Sequence, residues 1–581
     1  MTRRFRDNRG CDVFQSVGVV KALRIAVAAL ATSFLGDAIA VGQAPVHQHY
    51  ERNDAMHQPG PAGVLAPRLQ NLGTHTFKVT TKSARAQQFV NQGLNLAYGF
   101  NHAEAGRAFA EAARLDPGLA MAYWGQALVL GPNINAAMAP DDEPKALALV
   151  QKAASLARGA SARERDYIDA LAKRYTGKPD GRQAGDRAFA EAMRALTKKY
   201  PRDLDAATIF AEALMDLRPW NYWTRDGMPS DGTAEAIAAL ERVLASNPKH
   251  PGALHYWIHL WEPTKTPERA EREADRLLPL MPGAGHIVHM PAHIYLRVGR
   301  YADVVTSNQQ AVAADEEYIA QCRAQGMYPL GYYPHNIHFV WLGATMSGQS
   351  RLAIESARKV ASSVASATPE QQPFVQGFLV VPYFAMVQFG KWDEILAEPK
   401  PVHETLFTRA MWHFARGSAL AARGRFDQAG EERARLQAIA ADPALAKLPQ
   451  FSLNPPDKIV AVAVEVLDGD IAARQQQFDR AVAHFDRAIR LEDGLTYTEP
   501  PDWHASVRHS LGAALLAAGR HAEAETVYWE DLRRNRENGW ALFGVHQALV
   551  AQGKSDEAAR VEQRLKKAWA RADVTLTSSR F

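Results

Sequence analysis

One spacing constrains this chain more than any other. The glycine-led turns at Gly390 and Gly424, and again at Gly519 and Gly553, lie 34 residues apart. Comparable short turns begin at Gly99, Gly299 and Gly348. Between them run segments rich in Ala, Leu, Arg and Glu, with apolar residues at helical spacing and no strand alternation. A repeat of this length, with a helical pattern on each side of a tight turn, predicts helix pairs that bury their apolar faces on neighbouring pairs. A chain of 581 residues, 47% hydrophobic and 22% charged, has globular composition. By length alone it would be divided into roughly three or four domains. The period replaces that division with a single array: an all-α solenoid of stacked antiparallel helix pairs, arranged in two arcs.

The residues around the turns carry a resemblance. Ala105-Gly106-Arg107-Ala108-Phe109, then Ala112 and Asp116-Pro117, reads as a second helix that closes on proline. Ala122-Tyr123-Trp124-Gly125 opens the next first helix, and Arg480-Ala481-Val482 through Ala488 repeats the earlier pattern. Over residues 84–572 the chain resembles the tetratricopeptide-repeat superfamily. The resemblance implies a concave face built from the first helix of each pair and suited to a peptide, protein or small molecule. The chain also resembles a group of exported bacterial proteins of this type. It does so through Phe100-Asn101-His102, Gly131-Pro132-Asn133, His289-Met290-Pro291-Ala292-His293 and Glu499-Pro500-Pro501. That second resemblance implies export but no catalytic roles.

The N-terminus reads as an export signal. Lys21 and Arg24 precede the apolar run Ile25–Ala31, and Ala38-Ile39-Ala40 offers a small-x-small cleavage site. The run is too short to span a bilayer permanently. Residues 1–40 are therefore expected to be removed, placing the protein in the periplasm or outside the cell with no integral membrane segment. Residues 41–83 read as a flexible N-terminal segment, 84–245 as N-terminal repeats, 246–350 as histidine-rich repeats, 351–572 as C-terminal repeats and 573–581 as a tail. Subtracting the signal takes six of the 67 Lys/Arg and three of the 63 Asp/Glu, leaving 61 bases against 60 acids. So balanced a body argues against nucleic acid as a partner. Of the two cysteines only Cys322 would remain, so packing rather than a disulfide must hold the fold.

Histidine is where the sequence departs from a plain scaffold. Eight of its 20 histidines lie between His250 and His338. His255 and His259 are four apart; His286, His289 and His293 follow an i, i+3, i+7 pattern; His335 and His338 are three apart. Each set therefore lies on one face of its own helix. His255 to His289 and His259 to His293 are both one 34-residue period, so these rings should project side by side from adjacent repeats. Convergent imidazoles suit first-row transition metals. With no cysteine nearby, copper or zinc is the expected ion, at His255, His259, His286, His289, His293, His335 and His338. Met290 would favour copper if its sulfur faced inward. Asn336, Tyr295, Tyr332, Tyr333 and Glu262 are expected to orient the rings. Tyr256 stands where a zincin would carry its glutamate, so metalloprotease chemistry is not indicated. The alternative reading is a metal-free scaffold whose histidines line a peptide groove.

Glu262 and Glu499 are the candidate acid/base carboxylates, Glu499 within the loop Tyr497–His504 that could close over a groove. Trp412-His413 with Arg416 could pair with a ligand carboxylate, though core duty is commoner for such a trio. Three stretches look like insertions with a purpose: Gly131–Asn135, Trp220–Trp223 and Tyr328–Pro334. Nucleophile elbows, Cys-x-x-Cys pairs and phosphate loops are absent from the sequence.

Overall fold

In a computed structural model of the chain, the described residues are 63–581, apart from 323, 325, 326, 450 and 451. The sequence-read signal and the first part of the segment 41–83 lie outside them. The described chain is helical, with only two isolated bridges, Asn133–Ala136 and Trp223–Pro229. Consecutive helices pair across short turns, as in Ala84–Tyr98 with His102–Leu115, Leu406–Ala422 with Phe426–Ala440, and Gly539–Ala551 with Ser555–Ala568. This is the tetratricopeptide-type stacking that the 34-residue period implies.

The repeat packs by setting a bare backbone against an aromatic ring. Phe109 lies between Gly93 of the preceding helix and Gly125 of the following one, so close that a Cβ on Gly125 would come within 2.3 Å of its ring. Phe485 meets Gly469 in the same way, and Tyr528 is held between Gly512 and Gly544. One ring thus joins successive helices, and any side chain at those glycines would force them apart.

The turns keep the expected pattern with two substitutions. Gly299, Gly348, Gly390, Gly424, Gly519 and Gly553 all have positive φ. In the first pair, however, Gly99 has φ −98° and the left-handed residue is Phe100, at φ 55°; Gln476 plays the same part at φ 60°. A non-glycine residue there costs about 1–2 kcal/mol.

The two ends of the described chain are packed down. Residues from Leu65 to Ser83, read as part of a flexible segment, run against the first helices. The Leu65 and Leu69 amides donate to Glu111 and Gln92, the Thr80 amide donates to Glu164 at 2.6 Å, and Phe77 is buried. At the other end the C-terminal repeats meet the middle of the chain. Tyr301 donates to the Arg536 carbonyl at 2.7 Å, and the Trp540 indole to the Thr345 carbonyl at 2.9 Å. The tail is anchored too, with Asp573 accepting from the Ser350 amide at 2.6 Å. These long-range contacts bring the loop around Glu499 to the histidine helices. Among the described residues no helix is long and apolar enough to cross a membrane.

Candidate metal centre

Four helical segments carry the histidines: Pro251–Trp261 (His255, His259), Gly285–His289 (His286, His289), Pro291–Val298 (His293) and Tyr333–Met346 (His335, His338). Pro291, lacking an N–H, divides the second from the third, while Met290 between them keeps helical angles and is buried. The rings do not line an open groove. His255, His259, His286, His289 and His293 are at most 4% exposed, and His335 is half-buried.

The histidines assemble into two triads. His255, His259 and His286 form one; His289, His293 and His335 form the other; in each, one ligand atom per residue lies within 4.8 Å of the others. The i, i+3, i+7 set is therefore divided, with His286 turning to the first triad and His289 and His293 to the second. The triads adjoin, the rings of His259 and His293 being 6.1 Å apart and those of His286 and His289 5.8 Å. His338 belongs to neither. Its ring stacks on Trp341 at 4.9 Å, and burial pushes its pKa down to about 3.

The hydrogen bonds on the far side of each ring decide what the near side can do. His255 Nδ1 donates to the Tyr98 carbonyl at 2.6 Å. That carbonyl belongs to the last turn of helix Ala84–Tyr98, where no helical N–H remains to use it. His259 Nδ1 donates to Glu262 Oε1 at 2.8 Å. His289 Nδ1 donates to Asn308 Oδ1 at 2.7 Å; the Asn308 amide donates to the Val304 carbonyl at 2.8 Å, which fixes its orientation. His293 Nδ1 donates to Glu499 Oε2 at 2.8 Å and lies 2.7 Å from Glu262 Oε2. All four rings thus spend their Nδ1 protons outward and turn Nε2 inward.

Inward, Nε2 meets Nε2. The His255–His259 pair is separated by 3.0 Å and the His289–His293 pair by 2.9 Å. Two neutral rings in this tautomer face each other with lone pairs, which repel unless a proton or a cation lies between them. Two metal–nitrogen bonds of about 2.0–2.1 Å put their nitrogens roughly 2.9 Å apart at the right angle of tetragonal copper and roughly 3.3 Å apart at the tetrahedral angle of zinc, so the pairs have close to ligand spacing. His286 adds to the case, because both its ring nitrogens are buried with no hydrogen-bond partner among the described residues. An orphaned buried nitrogen costs about 1–3 kcal/mol, and structural zinc supplies about 10–16 kcal/mol of apparent binding energy. A bound ion would outweigh the expense of burying six imidazoles.

Charge is balanced around this core. Burial pushes the His255 pKa well down, with His259 adding to the effect, and burial also lowers His259, His286 and His289. These rings stay neutral, as ligands must. Glu262 stands between the triads with one oxygen on His259 and the other on His293. Burial raises its pKa, but the two histidines outweigh that and hold it below the usual carboxylate range. His293 moves the other way: burial lowers it, but Glu262 and Glu499 outweigh burial and raise it, so without an ion a proton on its Nε2 bridges to His289, and a bound ion takes that proton's place. Tyr497 donates its hydroxyl to Glu499 Oε1, and Arg297 lies over the Tyr497 ring, 5.1 Å from its centre. Both carboxylates thus touch imidazole Nδ1 atoms, the position of residues that orient ligands.

Phe100 completes the packing. Its centre lies 4.5 Å from that of His255 and 5.5 Å from that of His286, and it stacks on His259 at 5.8 Å. The left-handed turn residue is a ring wedged among the three imidazoles of the first triad. The three suspected insertions all reach the cavity beside the histidines: Asn135, Trp220 and Tyr332 line it, and Trp220 meets the His259 ring edge-on at 5.3 Å. Asn336 and Tyr295 work elsewhere, Asn336 donating to Asp315 and Tyr295 to Asp275. Tyr333 donates to Glu316. His413 and Arg416 are absorbed by Glu432, at 2.5 and 3.4 Å. Asn308 and the Tyr98 carbonyl were missed by sequence reasoning. A signal for Asn308 exists: it follows His289 by 19 residues, the same step across the helix pair that carries His413 to Glu432.

No protein-family model matches the chain, and no curated relative matches it. Solved structures do. The human IFIT1 dimer with m7Gppp-AAAA is 14% identical, covering 77% of this chain and 90% of its own, with a TM-score of 0.30. Yeast Tom70 is 14% identical, covering 84% of this chain and 92% of its own, with a TM-score of 0.27. Likenesses this weak say nothing of what this chain binds.

Proposed function

We propose that this is an exported tetratricopeptide-type protein holding two transition-metal ions, copper or zinc, in adjacent tri-histidine sites. The ions serve to bind or transform a small molecule. One observation carries the reading. In both triads a pair of Nε2 atoms stands about 3 Å apart, with every Nδ1 of those pairs already committed as a donor. Two rings so arranged are prepared for a shared cation. Three nitrogen ligands per ion leave a coordination position for a reactant, the pattern of catalytic rather than closed structural sites. The burial of the rings speaks against a surface groove that reads peptides through exposed histidines. Export rests on the Lys21–Ala40 pattern and on the resemblance to exported bacterial repeat proteins; fractionation of cells making the full chain tests it, with cytoplasmic retention the contrary result.

Elemental analysis of protein purified without a His-tag tests the metal reading. Wild type should carry about two transition-metal ions per chain, one for each triad of nitrogen ligands. A His289→Ala/His293→Ala variant should keep no more than one. Less than about 0.2 ion per wild-type chain after loading with Cu²⁺ or Zn²⁺ would remove the reading, since three convergent imidazoles bind these ions far more tightly than that.

A further inference from the structure

A cavity of about 220 Å³ adjoins both triads. Its wall contains two ring members of each: His259 and His286 from the first, His293 and His335 from the second. His255 and His289, the remaining members, do not line it; they are held behind by the Tyr98 carbonyl and Asn308. The sides of both sites left open by their ligands therefore meet in one chamber, and a single small molecule there can reach both.

The rest of the wall selects the molecule. Trp220, Trp341, Phe378, Phe384 and Val381 make it largely aromatic and apolar. Polar side chains at Asn135, Tyr332, Ser452, Thr498 and Asp502 also line it, and among the described lining residues none is a lysine or arginine. Away from the histidines, a carboxylate or phosphate on the ligand meets no lysine or arginine among the described lining residues, only Glu499 and Asp502, and burying such a charge unpaired is prohibitive. A benzene-sized molecule fits an apolar cavity of about 150 Å³, so this one takes a single ring with small substituents.

From this geometry we infer that the chamber binds an uncharged single-ring aromatic alcohol, of the phenol or catechol class. Its ring lies against Phe378 and the stacked His338 and Trp341 rings, and its oxygens take the open positions of the two sites. The inference rests on the metal reading of the six histidines, and the test separates the two.

The probe is 4-nitrocatechol, whose visible band shifts when its oxygens coordinate a metal, added to the copper-loaded full chain after its metal content has been measured. A saturable shift at about one probe per chain is expected, because both sites open into one chamber. Val381→Phe, at a lining residue that is none of the six histidines, should weaken the probe by at least about tenfold while leaving metal content and azide binding unchanged. Since a buried substitution can disturb folding, the half-buried Phe378→Ala supplies a second reading. It should tighten the bulkier 4-tert-butylcatechol relative to catechol by about threefold or more, through the added space. Two ions per chain with no band shift would overturn the inference and leave the metal reading standing. So would a shift unaltered by both variants. Absence of metal before the probe is added would overturn both.

Discussion

Two histidine clusters in this protein look alike by distance and differ in kind. His75, Asp205 and His250 have ligand atoms as close together as either triad does. His75 Nε2 lies 2.9 Å and His250 Nε2 3.3 Å from Asp205 Oδ1, and Tyr98 donates to the same oxygen at 2.7 Å. Yet His250 Nδ1 caps its helix, accepting from the Ala253 amide. A neutral ring accepting at Nδ1 carries its proton on Nε2, which lies 3.3 Å from Asp205 Oδ1, and so has no lone pair there for a metal. In the His255–His259 and His289–His293 pairs the outer partners are acceptors, namely a carbonyl, an amide oxygen and two carboxylates, and the Nε2 atoms are turned to face each other. Proximity of imidazoles is thus a weak signal. The group on the far side of each ring distinguishes a hydrogen-bonded cluster from a ligand set.

The sharpest way to break this contrast is at Glu262, which serves both triads. Glu262→Ala should lower metal affinity about 10–100-fold, the usual cost of losing an outer partner, and at both sites together. Competition titration with a chromophoric chelator reads it. An unchanged affinity would mean that the carboxylate does not orient the rings. Asn308→Ala should weaken only the His289 triad, by about tenfold, so that the titration separates into a tight and a weak ion. Asn308→Asp, which keeps an acceptor, should restore most of the loss.

His75→Ala/His250→Ala should leave the metal content at the wild-type value and change stability instead. Burial raises the Asp205 pKa, but His250 and His75 outweigh it and hold the carboxyl well below its ordinary range. A depressed folded-state pKa stabilises the fold above the unfolded value of about 3.9 and loses that contribution as pH falls toward the folded one. Removing both donors should therefore cost about 1–3 kcal/mol at neutral pH and flatten the acid limb below about pH 4, measured by urea unfolding across pH. Loss of metal in this variant would erase the distinction between the clusters.

The fold and part of the site were legible in the sequence for different reasons. The period and its turns are local and repeat, so helix pairing could be read directly, and the 34-residue register set His259 beside His293, whereas His255 meets His286 instead of His289. What the register could not show was that the intervening packing directs His286 to His255 and His259, and that His338 turns to Trp341. Ring direction depends on contacts such as Phe100, whose left-handed conformation no periodicity signals. Glu499 stood out as a carboxylate in a proline-bounded loop, but its arrival at His293 depends on the C-terminal repeats packing on the middle of the chain. Such long-range docking leaves no trace in spacing.

The central claim is that each triad converges its imidazole nitrogens on one ion. X-ray absorption at the metal edge of the loaded wild-type chain measures this most directly. The account predicts about three nitrogen scatterers per ion at about 2.0 Å, with the outer-shell signature of imidazole rings. A first shell dominated by oxygen or sulfur, or with about one imidazole per ion, would contradict it.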